Sequence, residues 1–320
     1  MSNVIVLGSL ITDLIARAPR LPHPGEVLLG EEFGIFPGGK GINQAVAAAR
    51  LGATVTMIGC VGRDDFGDAF FPILERERVD NTYVTRDAQQ GTGVSTVIIS
   101  SDSGQNVIIS NPRANLGVTA ETVETALHTV REKHPDERVI FLTQCETSRI
   151  SYTTGLQLAH SLGMTTILNA APIPREPLTD DLFPFIDVLV VNETEAASLA
   201  QTQVGTSDEA IGAAQSLLMK GVRHVLVTLG AQGAIWCTHD ENNAVRVHSQ
   251  RPFAVRGVDA TGAGDAFCGV LAAELAQERD IAAALGRASA AGALTATKSG
   301  AIPALPTAEA IEQLLTQQQE

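Results

Sequence analysis

The stretch Val258–Leu275, "VDATGAGDAFCGVLAAEL", sets a carboxylate beside a backbone almost free of side chains. Gly262, Ala263 and Gly264 precede a strongly helical run. Their bare N–H groups and the helix dipole make an anion hole. Asp265 falls in the first turn of that helix, where an isolated Asp ordinarily does no more than cap. Here the anion hole lies immediately upstream. An acid able to take a proton from a hydroxyl, next to a cradle for the phosphoryl group under attack, is what phosphoryl transfer requires. Asp259 is then free for another task, such as binding a cation.

A second stretch, "GIFPGGKG" at residues 34–41, comes within one letter of the phosphate-binding loop G-x-x-x-x-G-K-[ST]. That loop needs a Ser or Thr on the magnesium ion and a buried parallel strand before it. Gly41 supplies no oxygen, and the preceding "LLGEEFGIFP" is polar and ends in Pro37. Both contexts fail. What remains is a turn with glycines, or a helix start where Lys40 and Asn43 bring polar tips beside backbone N–H groups and grip an oxygen-rich ligand. Further polar residues follow apolar runs: Asp13 after "VIVLGSLIT", Glu146 after "VIFLTQC", Asn192 and Glu195 in "NETEA", and Thr228, Gly230 and Gly233 in "TLGAQG". Strand ends of open α/β sheets face the ligand crevice. Asn192 and Glu195 suit a magnesium–phosphate region, although an acidic helix start gives the same letters.

These residues need elements to hold them. Continuously apolar runs begin at Val4, Val55, Val139, Thr165, Asp187 and His224. Such runs fit central strands covered on both faces, as in a parallel sheet. Helical patterns alternate with them, at residues 43–51, 67–78, 119–132, 150–161, 193–200 and 208–220, then 263–275, 280–296 and 307–315. The alternation predicts a doubly wound α/β domain. Residues 26–36 and 93–109 break the pattern as antiparallel strands, with a hairpin tip at "SSDSGQ". One domain over residues 1–320, with a small β lid formed by about 14–38 and 91–113, accounts for the chain.

The balance of charge excludes some partners. With 320 residues, a net charge of −14 and only 4% aromatics, the chain is a poor fit to nucleic acid or an anionic membrane. Cys60, Cys145, Cys237 and Cys268 form no C-x-x-C pair and read as buried thiols of a reducing cytoplasm. A dinucleotide oxidoreductase would need G-x-G-x-x-G after the first strand, where "VLGSLITD" stands instead. A catalytically silent binding protein sits badly with an intact "GAGD".

"GGKGINQAVAAARLGA" and "DATGAGDAFCGVL" resemble the two signatures of the ribokinase (pfkB-type) family of carbohydrate kinases, and "NETEA", "TLGAQG" and "KSGAIPALP" match further family blocks in order. The resemblance covers essentially the whole chain. It implies a central α/β sandwich with a β lid over the sugar, often a dimer interface. It also implies transfer of the γ-phosphoryl group of ATP to a primary sugar hydroxyl. By resemblance Asp265 is the general base, and Gly262, Ala263 and Gly264 form the anion hole. Asp13, Gly39, Lys40, Asn43 and Glu146 bind the sugar, and Asn192 and Glu195 serve the Mg²⁺–phosphate region. Thr228, Gly230, Gly233 and Ser289 lie along the nucleotide. Asp259, Thr261, Thr295, Lys298, Gly300 and Ala304 match a loop for a monovalent cation, K⁺. D-ribose is the expected acceptor, with a nucleoside, a ketohexose or deoxyribose as alternatives. Departures from the family pattern are Ile11 where an Asn is usual, Ala260 for a Thr, Ser289 for an Asn or His, and Ala304 for a Ser. A site that hydrogen-bonds a hydroxyl discriminates strongly, so Ile11 bears most directly on which sugar is taken.

Overall fold

The computed structural model describes residues 2–318. The chain begins with β1 (Asn3–Leu7), β2 (Ile11–Ala18), β3 (Glu32–Gly38), α1 (Lys40–Arg50), β4 (Thr54–Gly62), α2 (Asp65–Asp68), α3 (Phe70–Arg76), β5 (Val79–Asp87), β6 (Gly93–Ser100) and β7 (Asn106–Asn111). It continues with α4 (Ala120–Lys133), β8 (Val139–Gln144), α5 (Arg149–Ser161), β9 (Thr165–Asn169), β10 (Val188–Asn192), α6 (Glu193–Ala200) and α7 (Ser207–Met219). Last come β11 (His224–Thr228), β12 (Ala234–His239), β13 (Val245–Gln250), α8 (Ala263–Ala276), α9 (Ile281–Thr295) and α10 (Ala308–Gln317).

Two sheets form. The larger has nine strands in the order β13-β12-β11-β10-β9-β8-β1-β4-β5. It is parallel from β11 to β5, with β12 and β13 antiparallel at one edge. Each apolar run of the sequence analysis became one of its central strands. Side chains alternate across a strand, so β1 splits its residues between two cores. Val4 and Val6 pack with α1, α3, α8, α9 and α10, and Ile5 and Leu7 with α4, α5, α6 and α7. The expected doubly wound α/β architecture is therefore present. No helix among the described residues is long and apolar enough to cross a membrane.

Several boundaries differ from expectation. The helix expected at residues 67–78 is split into α2 and α3, because Pro72 has no N–H to donate and tolerates only a first turn. α1 begins at Lys40 and not at residue 43. β5 and β13 were not anticipated, since both mix polar and apolar residues and expose much of their length.

The smaller sheet has four strands in the order β3-β2-β6-β7. Its first strand in sequence begins at Ile11, and residues 26–31 lie outside it. Pro37 is accommodated because β3 is an edge strand, where a missing N–H costs no ladder bond. The 100–105 stretch makes the expected tight turn, with Ser100 N donating to Gln105 O (2.9 Å). Fully buried Asn115 ties the two sheets together. Its Oδ1 accepts from Leu10 N (2.8 Å) and its Nδ2 donates to Leu10 O (2.9 Å).

Gly41, the letter that breaks the phosphate-loop pattern, has a packing reason. A Cβ there would collide with the backbone of Gly8 and Ser9, where β1 ends under the first turn of α1. Gly41→Ser, which completes the phosphate-loop motif, is therefore expected to destabilise the fold by about 2 kcal/mol or more in urea denaturation. Unchanged stability would remove this explanation of the glycine.

Candidate active site

The C-terminal ends of β1, β8, β9, β10 and β11 share one edge of the large sheet, and α1 and α8 begin there. α4, α5, α6, α7, α9 and α10 each carry a side-chain N-cap: Thr119, Ser148, Asn192, Thr206, Asp280 and Thr307. α1 and α8 have glycine caps instead, Gly39 at φ +102° and Gly262 at φ +78°, with no capping side chain. Both dihedrals lie in the left-handed region that glycine adopts without strain.

The two uncapped ends differ. At α1 the first amides are occupied: Lys40 N donates to Glu146 Oε2 (3.1 Å) and Ile42 N to Ser9 O (3.1 Å). At α8, Ala263 N donates to Ala260 O (3.1 Å), but Gly262 N, Gly264 N and Asp265 N meet no acceptor among the described residues. Free amides at a helix N-terminus attract an anion. Of the expected anion hole, the Ala263 amide is thus engaged, while the Asp265 amide is free.

Asp265 itself is only 7% exposed, yet it caps nothing. Asn43 Nδ2 donates to its Oδ2 (2.9 Å), and Gln44 Nε2 donates to its Oδ1 (3.0 Å). Gln44 Nε2 also reaches Asn169 Oδ1 (3.1 Å), and Gln144 Nε2 donates to Gln44 Oε1 (2.7 Å). Gln44, Gln144 and Asn169 escaped the sequence reading. Their signal was present: Gln44 adjoins Asn43, while Gln144 and Asn169 each end an apolar strand at the crevice edge. Asn43 Oδ1 and Gln144 Oε1 are buried without partners among the described residues.

Around this network stand the other expected residues. Glu146 Oε2 also accepts from Ser9 Oγ, a further residue the sequence reading passed over. Asp13, on β2, accepts from Ser95 Oγ on β6, and burial raises its pKa above the usual carboxylate range, with Glu146 and Asp265 adding to the rise. Burial would pull Lys40 down, but Asp265, Glu146 and Glu195 outweigh it, and the ammonium is held above its ordinary pKa. Glu195 is raised, chiefly by burial. Its Oε2 accepts from Asn192 N (2.9 Å) and Asn192 Oδ1 accepts from Glu195 N (2.8 Å). The two thus form a capping box, and Glu195 Oε1 has no hydrogen-bond partner among the described residues.

Thr228 lies in register with Asn192, at the same sheet edge. Gly230 (φ +50°) and Gly233 (φ +95°) follow, and a Cβ on Gly233 would meet the backbone of residues 250–252. Ser289, on α9 beside α8, has a buried hydroxyl without a partner. Asp259 is occupied: its Oδ1 accepts from Thr261 N (2.9 Å) and Thr261 Oγ1 (2.6 Å), and its Oδ2 from Gly300 N (3.0 Å). Burial would raise its pKa, but these bonds hold it below the usual range. Thr295 Oγ1 donates to Ala291 O (2.9 Å), Lys298 is exposed and Ala304 is buried. No group of three or more His, Cys, Asp or Glu among the described residues is arranged to hold a metal. Cys145 is pushed up to about 12 by burial, so it is a poor nucleophile.

Residues 1–308 match the pfkB family of carbohydrate kinases. The chain is 32% identical to the ribokinase of Haemophilus influenzae over 305 residues, covering 95% of each. It is 33% identical to the deoxyribokinase of Salmonella typhi over 314 residues, covering 98% of this chain and 99% of that one. Arabidopsis thaliana ribokinase, solved with ribose and ATP, superposes with a TM-score of 0.83 at 28% identity, covering 98% of both chains.

Gln44→Ala leaves buried groups of Gln144, Asn169 and Asp265 short of a partner. The expected loss of stability is about 2–4 kcal/mol, read by urea denaturation. A loss under about 0.5 kcal/mol would show that the network contributes nothing.

Proposed function

We propose, for a chain that belongs to the pfkB family of carbohydrate kinases, a reaction in which the γ-phosphoryl group of ATP passes to a primary hydroxyl of D-ribose. The protein is an ATP-dependent sugar kinase. The observation that carries the mechanism is Asp265, buried and aimed by Asn43 and Gln44, at a helix start whose amides are free. The carboxylate takes the proton of the attacking hydroxyl. The amides of Gly262, Gly264 and Asp265 hold the oxygens of the phosphoryl group, whose charge grows toward the transition state. Asp13, Lys40, Asn43 and Glu146 hold the sugar, with the small sheet as its lid. Positioning and electrostatics supply most of the rate.

Asn192 and the free Oε1 of Glu195 fit the water shell of Mg²⁺, a hard ion that takes oxygen donors. Bound there, the ion supplies charge neutralisation to the phosphates. A K⁺ ion fits the carbonyls of the segments that Asp259 ties together through Thr261 and Gly300. Thr228, Gly230, Gly233 and Ser289 line the nucleotide. Four free cysteines suit a reducing compartment, the cytoplasm.

One observation favours deoxyribose as a second reading. Ile11 stands two residues before Asp13 on the same strand, hence on the same face. It is buried, with Cγ1 packed beside Gly93. An isoleucine there offers no partner to a hydroxyl, and a sugar lacking that hydroxyl loses nothing.

A homodimer forms through the small sheet. In-register residues share a face. One row is Ile35, Leu14, Thr96 and Ile109, and the next is Phe33, Ala16, Ile98 and Val107. This face is opposite to Asp13 and Ser95, and Phe33 is 68% and Ile109 60% exposed. A contiguous apolar face of this kind is what a second copy covers.

An acceptor panel read by coupled ADP release, run in K⁺ and in Na⁺, tests the reaction. Turnover is expected with ribose or deoxyribose and faster in K⁺. Asp265→Asn should lose nearly all turnover, roughly a thousandfold or more, while still binding sugar. Near-normal turnover would remove Asp265 as base. Ile11→Asn should move preference toward ribose by about tenfold or more. For the dimer, Ile109→Glu should yield monomers in light scattering, and an unchanged mass would exclude this face.

A further inference from the structure

The carboxamides of Gln44, Gln144 and Asn169 form a chain that ends on Asp265, and one backbone carbonyl fixes which way each of them points. Val190 O, near the end of β10, can only accept. It accepts from Ala170 N (3.1 Å) and from Asn169 Nδ2 (3.2 Å). Asn169 therefore turns Oδ1 toward Gln44, whose facing atom must be the donor. Gln44 Nε2 serves both Asn169 Oδ1 (3.1 Å) and Asp265 Oδ1 (3.0 Å). Gln44 Oε1 is left to accept from Gln144 Nε2 (2.7 Å). Gln44 and Gln144 are fully buried and Asn169 nearly so, which makes these groups depend on one another for partners.

The chain has a second arrangement. Gln144 Oε1 has no partner among the described residues, so this carboxamide can turn over without losing a bond there. Gln44 would turn with it, giving Nε2 to Gln144 Oε1 and presenting Oε1 to Asp265 Oδ1. Two acceptors in contact repel unless the carboxyl carries a proton, and a protonated Asp265 is no base. In that arrangement Gln44 Oε1 would also face Asn169 Oδ1, an acceptor that the bond to Val190 O keeps in place. Asn169 is thus the group that excludes the turned state.

We propose that Asn169 is a positioning residue, which acts through Gln44 to keep a donor on Asp265 and so holds that carboxylate ready to accept a proton. The inference rests on Asp265 being the base of the kinase reaction. The other ionisable groups that face Asp265 are Lys40 of α1, Asp13 of β2, Glu195 of α6 and Cys268 of α8 itself. Replacing Asn169 leaves all of them in place.

The test follows single turnovers of ATP and ribose by rapid quench, from acid to alkaline pH, in the wild type and in Asn169→Leu, which is close in size and carries neither donor nor acceptor. Loss of Asn169 admits the turned, protonated state, and raising the pH drives it back. The acid limb of the rate should therefore move up by about one pH unit, roughly a tenfold loss on its acid side. The rate should return at alkaline pH, and ribose affinity by calorimetry should stay within about threefold of the wild type. Should Asn169→Leu not fold, Asn169→Ser, too short to reach Gln44, is read in the same way. An unmoved acid limb overturns the proposal, and so does a rate lowered equally at every pH, which a merely structural role would give. A wild type without turnover overturns it together with the kinase reading. Turnover that is lost in Asp265→Asn, with the acid limb unmoved in the Asn169 variant, overturns this proposal alone.

Discussion

Everything at the site depends on how closely α1 and α8 approach each other. A Cβ on Gly269 would collide with Gln44 O and sit 2.6 Å from Ala47 Cβ and 3.1 Å from Ala48 N. On its other side, α1 has no room between Gly41 and the Gly8–Ser9 backbone. The first helix is therefore wedged between the end of β1 and the last third of the chain. That wedge carries Asn43 and Gln44 onto Asp265 from a sequence distance of 222 and 221 residues. A base must meet its hydroxyl within a few tenths of an ångström, and close-packed backbones hold such tolerances where longer side chains would not.

The same junction explains how so acidic a chain can present itself to a triphosphate. The free amides of α8 provide positive potential without any cationic side chain. Lys40 is the common partner of Asp265, Glu146 and Glu195, and their attraction outweighs its burial. Asp13 and Glu195 are both pushed upward by burial. Without Lys40 the carboxylates would face one another uncompensated. The ammonium is thus a condition of the cluster.

The central strands were legible because both their faces are buried, which leaves unbroken apolar runs. β5 and β13 were not, because exposed edge strands mix polar with apolar residues. Asp265, Lys40, Asn43 and Glu146 could be singled out since each follows a recognisable turn or strand end, and the structure brings them together. Gln44, Gln144 and Asn169 were hidden for a different reason. An amide at a strand end has no charge or motif to mark it, and its role arises only when three distant segments meet. Gly41 argued against a phosphate loop by its missing hydroxyl, and its cause is a backbone contact.

The residues around Asp265 and those around Ile11 stand on separate parts of this architecture. Asp265, its amide partners and the free amides belong to α1, α8 and the large sheet, whereas Ile11, Asp13 and Ser95 stand on the small one. The join runs through Leu10, clamped by Asn115. Ile11 pairs with Gly38 on one side and Gly93 on the other. Those glycines answer to other neighbours: a Cβ at Gly38 would strike Asp13, and one at Gly93 would strike Asn115. Ile11 itself is 3% exposed, with its Cγ1 packed beside Gly93. Ile11 takes no part in the 2.9 Å and 3.0 Å bonds that hold Asp265. The junction of α1 and α8 and the strands of the smaller sheet are thus two separately built parts of the fold.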